Sequence, residues 1–137
     1  MAGAFSQNLQ QKILDHVFKR TALSQPTNIY VGFCSVTPSD TSLGTELSGT
    51  GYTRAVCNNW DAATAASPSV IKNTDIITFP TPGAGGWGVA NYFILMDTIS
   101  DTALSGFLGW GALTIPKTIN QNDTVTFAAG QLQITLD

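Results

Sequence analysis

One histidine, two cysteines and nine carboxylates are the side chains of this 137-residue chain with the means for acid–base, nucleophilic or metal chemistry. His16 stands beside Asp15 and four residues after Lys12, in a helical pattern where a solvated position explains it. A Ser–His–acid or Cys–His system would have to use this imidazole. No Gly-x-Ser-x-Gly turn accompanies it. A zinc site needs three or four His or Cys ligands, and the chain has only His16, Cys34 and Cys57, far apart. Asp40, Glu46, Asp61, Asp97 and Asp101 include pairs able to flank a glycosidic bond. Asp97 and Asp101 could also share a calcium ion across one turn. All five lie in or beside loops, where acids cap turns, and no EF-hand spacing is present. Gly83-Ala-Gly-Gly-Trp-Gly88 is rich enough in glycine to cradle phosphate, but no Lys-Ser or Lys-Thr follows and a strand comes next. No catalytic, cofactor or metal site is therefore predicted, and the chain is expected not to be an enzyme.

The composition favours contact over catalysis. Hydrophobic residues make up 43% and charged residues 11%, with a net charge of −3. A surface of Ser, Thr, Asn, Gln and Gly loses few charges to desolvation when another surface covers it. The bases are scattered, which argues against a nucleic-acid partner. No apolar run approaches the ~20 residues that span a bilayer. Met-Ala-Gly-Ala-Phe-Ser-Gln does not read as a secretory signal. Assembly in a cytoplasm is expected. Cys34 and Cys57 fall in strand-like stretches and read as buried free thiols, with a disulfide between them as the alternative.

Positioning these residues falls to strands. Gly86–Thr114 reads as two long strands joined by Thr98–Thr102, apolar on both faces and so interior to a sandwich. Trp87, Val89, Asn91, Phe93 and Leu95 are expected on one face of the first strand, and Gly88, Ala90, Tyr92, Ile94 and Met96 on the other. In the second, Leu104, Leu108 and Trp110 are expected to oppose Phe107, Leu113 and Ile115. Residues 28–35, 51–57, 69–73, 75–79, 124–129 and 131–136 read as further strands, and Pro116–Ile119 as an edge piece. Residues 6–20 read as one amphipathic helix, with Ser6 as N-cap and Leu9, Ile13, Leu14 and Val17 as its stripe. The expected architecture is one domain over 1–137, mainly β. It comprises the N-terminal helix and an antiparallel jelly-roll-type β-sandwich over about 28–137.

Three features look outward. A four-turn helix is marginal alone and must dock on its own sandwich or on a neighbour. The 37–50 loop is long for a compact domain, which points to function. Trp60 sits in a loop of small residues, whereas Trp87 and Trp110 read as core. The candidate interface residues are Leu9, Ile13, Asp40, Leu43, Glu46 and Trp60. Glu46 and Arg54 are also expected to form an exposed ion pair pinning the long loop, contributing about 0–1 kcal/mol.

Several segments carry a resemblance. They are Lys12–His16, Pro26–Phe33, Thr37-Pro-Ser-Asp40, Gly44–Gly49 and Gly51-Tyr-Thr-Arg54, then Asp75–Pro80, Trp87-Gly88, Phe93–Asp97, Gly109-Trp-Gly-Ala-Leu113, Lys117-Thr-Ile119, Gly130 and Leu132–Leu136. Their order resembles a family of small virion structural proteins of tailed double-stranded-DNA bacteriophages. Some members are labelled tail-fibre proteins, and others look like jelly-roll capsid cement or decoration proteins. The resemblance implies a virion protein without an active site. The first reading is a cement protein on the capsid surface that bridges subunits of the major capsid protein. A symmetric homo-oligomer, a dimer or trimer, is expected, with no small-molecule substrate. The alternatives are a tail-fibre, tail-tip or baseplate component, and a jelly-roll carbohydrate-binding module using Trp60 or the 37–50 loop.

Overall fold

Ser6 divides a short strand from the helix. In a computed structural model, which describes residues 3–136, β1 (Gly3–Phe5) precedes Ser6 and α1 (Gln7–Val17) follows it. The Ser6 hydroxyl accepts from Leu9 N–H at 3.1 Å, capping the first turn as expected. The helix is shorter than 6–20. Arg20 adopts a left-handed conformation (φ 61°) and Thr21 N–H closes back on Asp15 O at 3.0 Å, so Lys19 and Arg20 lie beyond the last turn.

The strands are β2 (Tyr30–Val36), β3 (Thr45–Glu46), β4 (Ala55–Val56), β5 (Ser69–Lys72), β6 (Ile77–Thr78), β7 (Gly88–Met96), β8 (Phe107–Ile119), β9 (Thr126–Phe127) and β10 (Gln133–Leu136). β1, β8, β7, β2 and β3 lie in that order in one antiparallel sheet, with β4 also paired to β2. β5 with β10, and β6 with β9, form two antiparallel ribbons. The mainly β, antiparallel class with one N-terminal helix is as expected, but the jelly-roll detail is not borne out. Among the described residues the second layer is two short ribbons rather than a sheet matching the first. Ser-, Pro- and Gly-rich segments leave too few strand residues there to build one. No helix among the described residues is long and apolar enough to cross a membrane.

The β7–β8 hairpin is central in the large sheet. It is buried on both faces around Phe93–Met96 and Phe107, but its far end, with Val89 and residues 114–118, is exposed rather than covered as expected. Its main cluster joins Val31, Phe33, Phe93 and Leu95 of the sheet to Ile77, Phe79, Val125 and Leu132 of the ribbon layer. Phe33 stacks on Phe79 with ring centroids 4.5 Å apart. On the opposite face Cys34, Ile94, Met96 and Phe107 form a smaller cluster with Leu43, Tyr92 and Trp110.

Two register breaks alter the faces that strict alternation predicts. Leu95 pairs with Gly109 but Met96 pairs with Phe107, so Leu108 is an extra residue. Leu108 therefore joins the main cluster, while Trp110 joins the smaller one with Phe107. Leu104 lies in a 3-10 turn rather than in the strand, and Ile115 is 79% exposed. Ala90 pairs with Lys117 and Tyr92 with Ala112, so Asn91 opposes residues 113–116. This moves Ala90 onto the Phe93 side. Pro116 falls inside the offset, where no ladder N–H is required, and Pro116–Ile119 is the end of β8 rather than an edge piece. Alternation over 131–136 predicts Leu132, Ile134 and Leu136 inward, but Leu136 is 56% exposed.

Candidate functional site

The long loop is held by a buried polar network. Arg54 donates through Nε to Glu46 Oε1 at 2.9 Å and through Nη2 to Glu46 Oε2 at 2.7 Å. Its Nη1 donates to the carbonyls of Thr98 and Asp101 at 2.9 and 2.8 Å. Tyr52 Oη donates to Glu46 Oε1 at 2.8 Å and accepts from Phe33 N–H. The ion pair expected at these positions is present, but it is buried, not exposed: the side chains are 2% and 19% accessible. Burial first, and the Glu46 charge second, push the Tyr52 phenol upward. Gly32 makes room for the network. A Cβ there would lie 2.7 Å from Glu46 Oε1 and 2.9 Å from Tyr52 Oη. One guanidinium thus ties β3, β4 and the β7–β8 turn together.

Of the expected interface residues in this loop, Glu46 turns inward and is occupied by Arg54 and Tyr52. Leu43 is half-buried against the smaller cluster, and its carbonyl accepts from the Cys34 thiol. Asp40 remains exposed, and its backbone carbonyl accepts from Gln7 N–H at 2.8 Å. The loop is therefore largely a structural brace that also receives the start of the helix.

The helix docks by its N-terminal half through polar contacts. Ser6 N–H donates to Leu108 O at 3.0 Å, and its hydroxyl donates to Phe107 O. Asn8 and Lys12 donate to Ser105 O at 2.8 and 3.3 Å. Leu9 and Ile13 are half-buried, and no residue of α1 is fully buried. The far end is bare: Leu14 is 57%, Val17 58% and Phe18 80% exposed. Leu14 and Val17 belong to the stripe that periodicity picks out, and Phe18, four residues after Leu14 at the C-cap, extends it.

Beside the helix lies an apolar groove of about 670 Å³. Phe5, Leu9 and Gln10 form one side. Phe93, Leu95 and Leu108 form its floor, and Ile71, Ile134 and Leu136 of the β5–β10 ribbon form the far side with Trp60. Trp60 is half-buried, with Nε1 donating to Cys57 O at 2.6 Å, so its ring is part of a wall rather than a free tip. Leu9 and Trp60 thus meet in one place, while Asp40, Leu43 and Glu46 belong to the loop. No sequence signal revealed the groove, because it arises where β1, β8 and the last strand converge.

The chemistry-bearing residues remain separate. His16 Nδ1 accepts from Leu23 N–H at 3.2 Å beyond the helix end. Asp101 caps its own turn through Ala103 N–H, and Asp61 receives Lys72 N–H. Among the described residues no three His, Cys, Asp or Glu side chains gather as a metal site. Cys34 and Cys57 are buried free thiols, as expected, and burial pushes both up to about 12.

A family model described as Podophage GP4 fiber I protein gp80 matches residues 4–135. The chain belongs to this family. The match takes in β1, the helix, the loop, both ribbons and the groove, so the fiber I family model describes the fold as a whole. This makes the chain a phage virion structural protein of fibre type. No curated protein matches it.

Proposed function

We propose that this fiber I family member is a non-enzymatic fibre subunit on the tail of a tailed phage, held in place by protein–protein contact. The single observation that carries the reading is the family match over residues 4–135. The sparse charge and the bare apolar helix end support it, since both lower the desolvation cost of a large interface. It acts as a symmetric homo-oligomer, so that one fold supplies several identical contacts. A second reading places it on the capsid surface as a cement protein bridging the major capsid protein. It is favoured by the small antiparallel β body that the described residues form.

Quantitative mass spectrometry of purified particles, referenced to the major capsid protein, tests the choice. A ratio below a few per cent, with immunogold label at the tail, is the expected result. A ratio near one to one, or a simple fraction of it, overturns the tail reading in favour of cement.

A further inference from the structure

The helix segment and the body of the chain carry net charges of opposite sign. Residues 7–20 carry Lys12, Lys19 and Arg20 against Asp15, a net +2. The rest of the chain carries Arg54, Lys72 and Lys117 against eight acids, a net −5, which together restores the total of −3. Acids stand at both sides of the groove. Asp40 Oδ2 lies 3.5 Å from Gln10 Nε2 on the helix side. Asp61 follows Trp60 on the other, and its carboxylate accepts from Lys72 N–H at 2.8 Å. The half-buried Leu9 is a wall of the groove, and the same stripe runs on through Ile13 to the bare Leu14, Val17 and Phe18. The apolar stripe of α1 thus begins in the groove wall at Leu9 and ends in a bare knob.

We propose that the basic end of α1, with Leu14, Val17 and Phe18, seats in the apolar groove of a second copy of this chain. The second copy is the occupant because its helix brings both the apolar side chains and the positive charge that this acidic body attracts. A helix laid into an apolar groove is a common recognition mode. Knob and groove adjoin, so reciprocal exchange about a two-fold axis, or a closed ring, satisfies every copy and leaves no free end. The inference deepens the homo-oligomer part of the proposed function and rests on it.

Sedimentation of the full chain, with a photo-crosslinking amino acid at position 18, tests it. The expected result is a dimer or trimer at micromolar concentration, weakened by added salt. Crosslinks should reach Trp60, Ile71, Ile134 or Leu136 of an isotope-labelled second copy. Val17→Asp with Phe18→Asp should weaken association on the order of 100-fold, since both side chains are already exposed in the single chain and its fold does not depend on them. Leu136→Arg, on the opposite partner surface, should do the same. A wild-type monomer overturns both this contact and the homo-oligomer reading. A stable oligomer that ignores the helix and groove variants, or crosslinks elsewhere, overturns the contact alone and leaves that reading standing.

Discussion

Replacing Arg54 with methionine keeps the length of the side chain and removes its charge. The guanidinium is 2% accessible and makes two bonds to Glu46 and two to backbone carbonyls. The Thr98 and Asp101 carbonyls lie in an outer turn that water reaches, so their loss is small. The dominant cost is the Glu46 carboxylate, left enclosed without its cation. Breaking a buried pair from one side costs roughly 3–5 kcal/mol. Glu46 keeps 19% of its side chain accessible, which places this site at the lower end. Unfolding entropy for a chain of this length is about 0.29 kcal/mol per kelvin. A loss of about 3 kcal/mol then lowers Tm by about 10 °C. Differential scanning calorimetry of Arg54→Met measures this directly. Adding Glu46→Leu removes the stranded charge, and the double variant should recover most of the loss. A drop below about 3 °C, the size expected of an exposed pair, would refute the reasoning. So would a double variant less stable than Arg54→Met alone.

Gly32→Ala drives a Cβ to 2.7 Å from Glu46 Oε1 and should cost about 1–3 kcal/mol in urea unfolding; an unchanged midpoint would remove the packing role given to this glycine. Cys34 and Cys57 sit near 12 in the folded protein against an ordinary value of 9.0, so the folded form keeps protons that the unfolded form releases. Their contribution is complete below pH 9 and is lost between about pH 9 and 12, at up to ~1.4 kcal/mol per pH unit for each thiol. Chemical unfolding at stepped pH reads that slope, and it should shrink when either cysteine is replaced by alanine. A slope unchanged in both alanine variants would refute it.

The sequence made the strands legible because alternation is a local signal. Val125 and Phe127, or Leu132 and Ile134, announce their inward face within a few residues. Ser6 was legible for the same reason, since a cap acts on the N–H three residues on. Leu108 and Pro116 were not, because a register break is set by the partner strand and leaves no local mark. The Glu46–Arg54 pair was legible as an attraction between neighbours, but not as buried. Its depth comes from the β7–β8 turn, more than forty residues later, closing over it. The proposed contact surface was half legible. The helix stripe showed in its spacing, and Trp60 in its loop, but the groove that unites Leu9 with Trp60 needs β1, β8 and β10 in place.

The pairing of β5 with β10 also sets a timetable. Lys72 must meet Gln133, 61 residues later, and Phe33 must meet Phe93 across a similar span. At a synthesis rate of about 5–20 residues per second, Ile71 waits on the order of 3–12 s for Ile134 to be made. During that interval one wall of the groove is a lone apolar strand, and the helix, made first, has no β8 to rest on. The nascent chain thus presents its stickiest surfaces at the ribosome before either has a native partner.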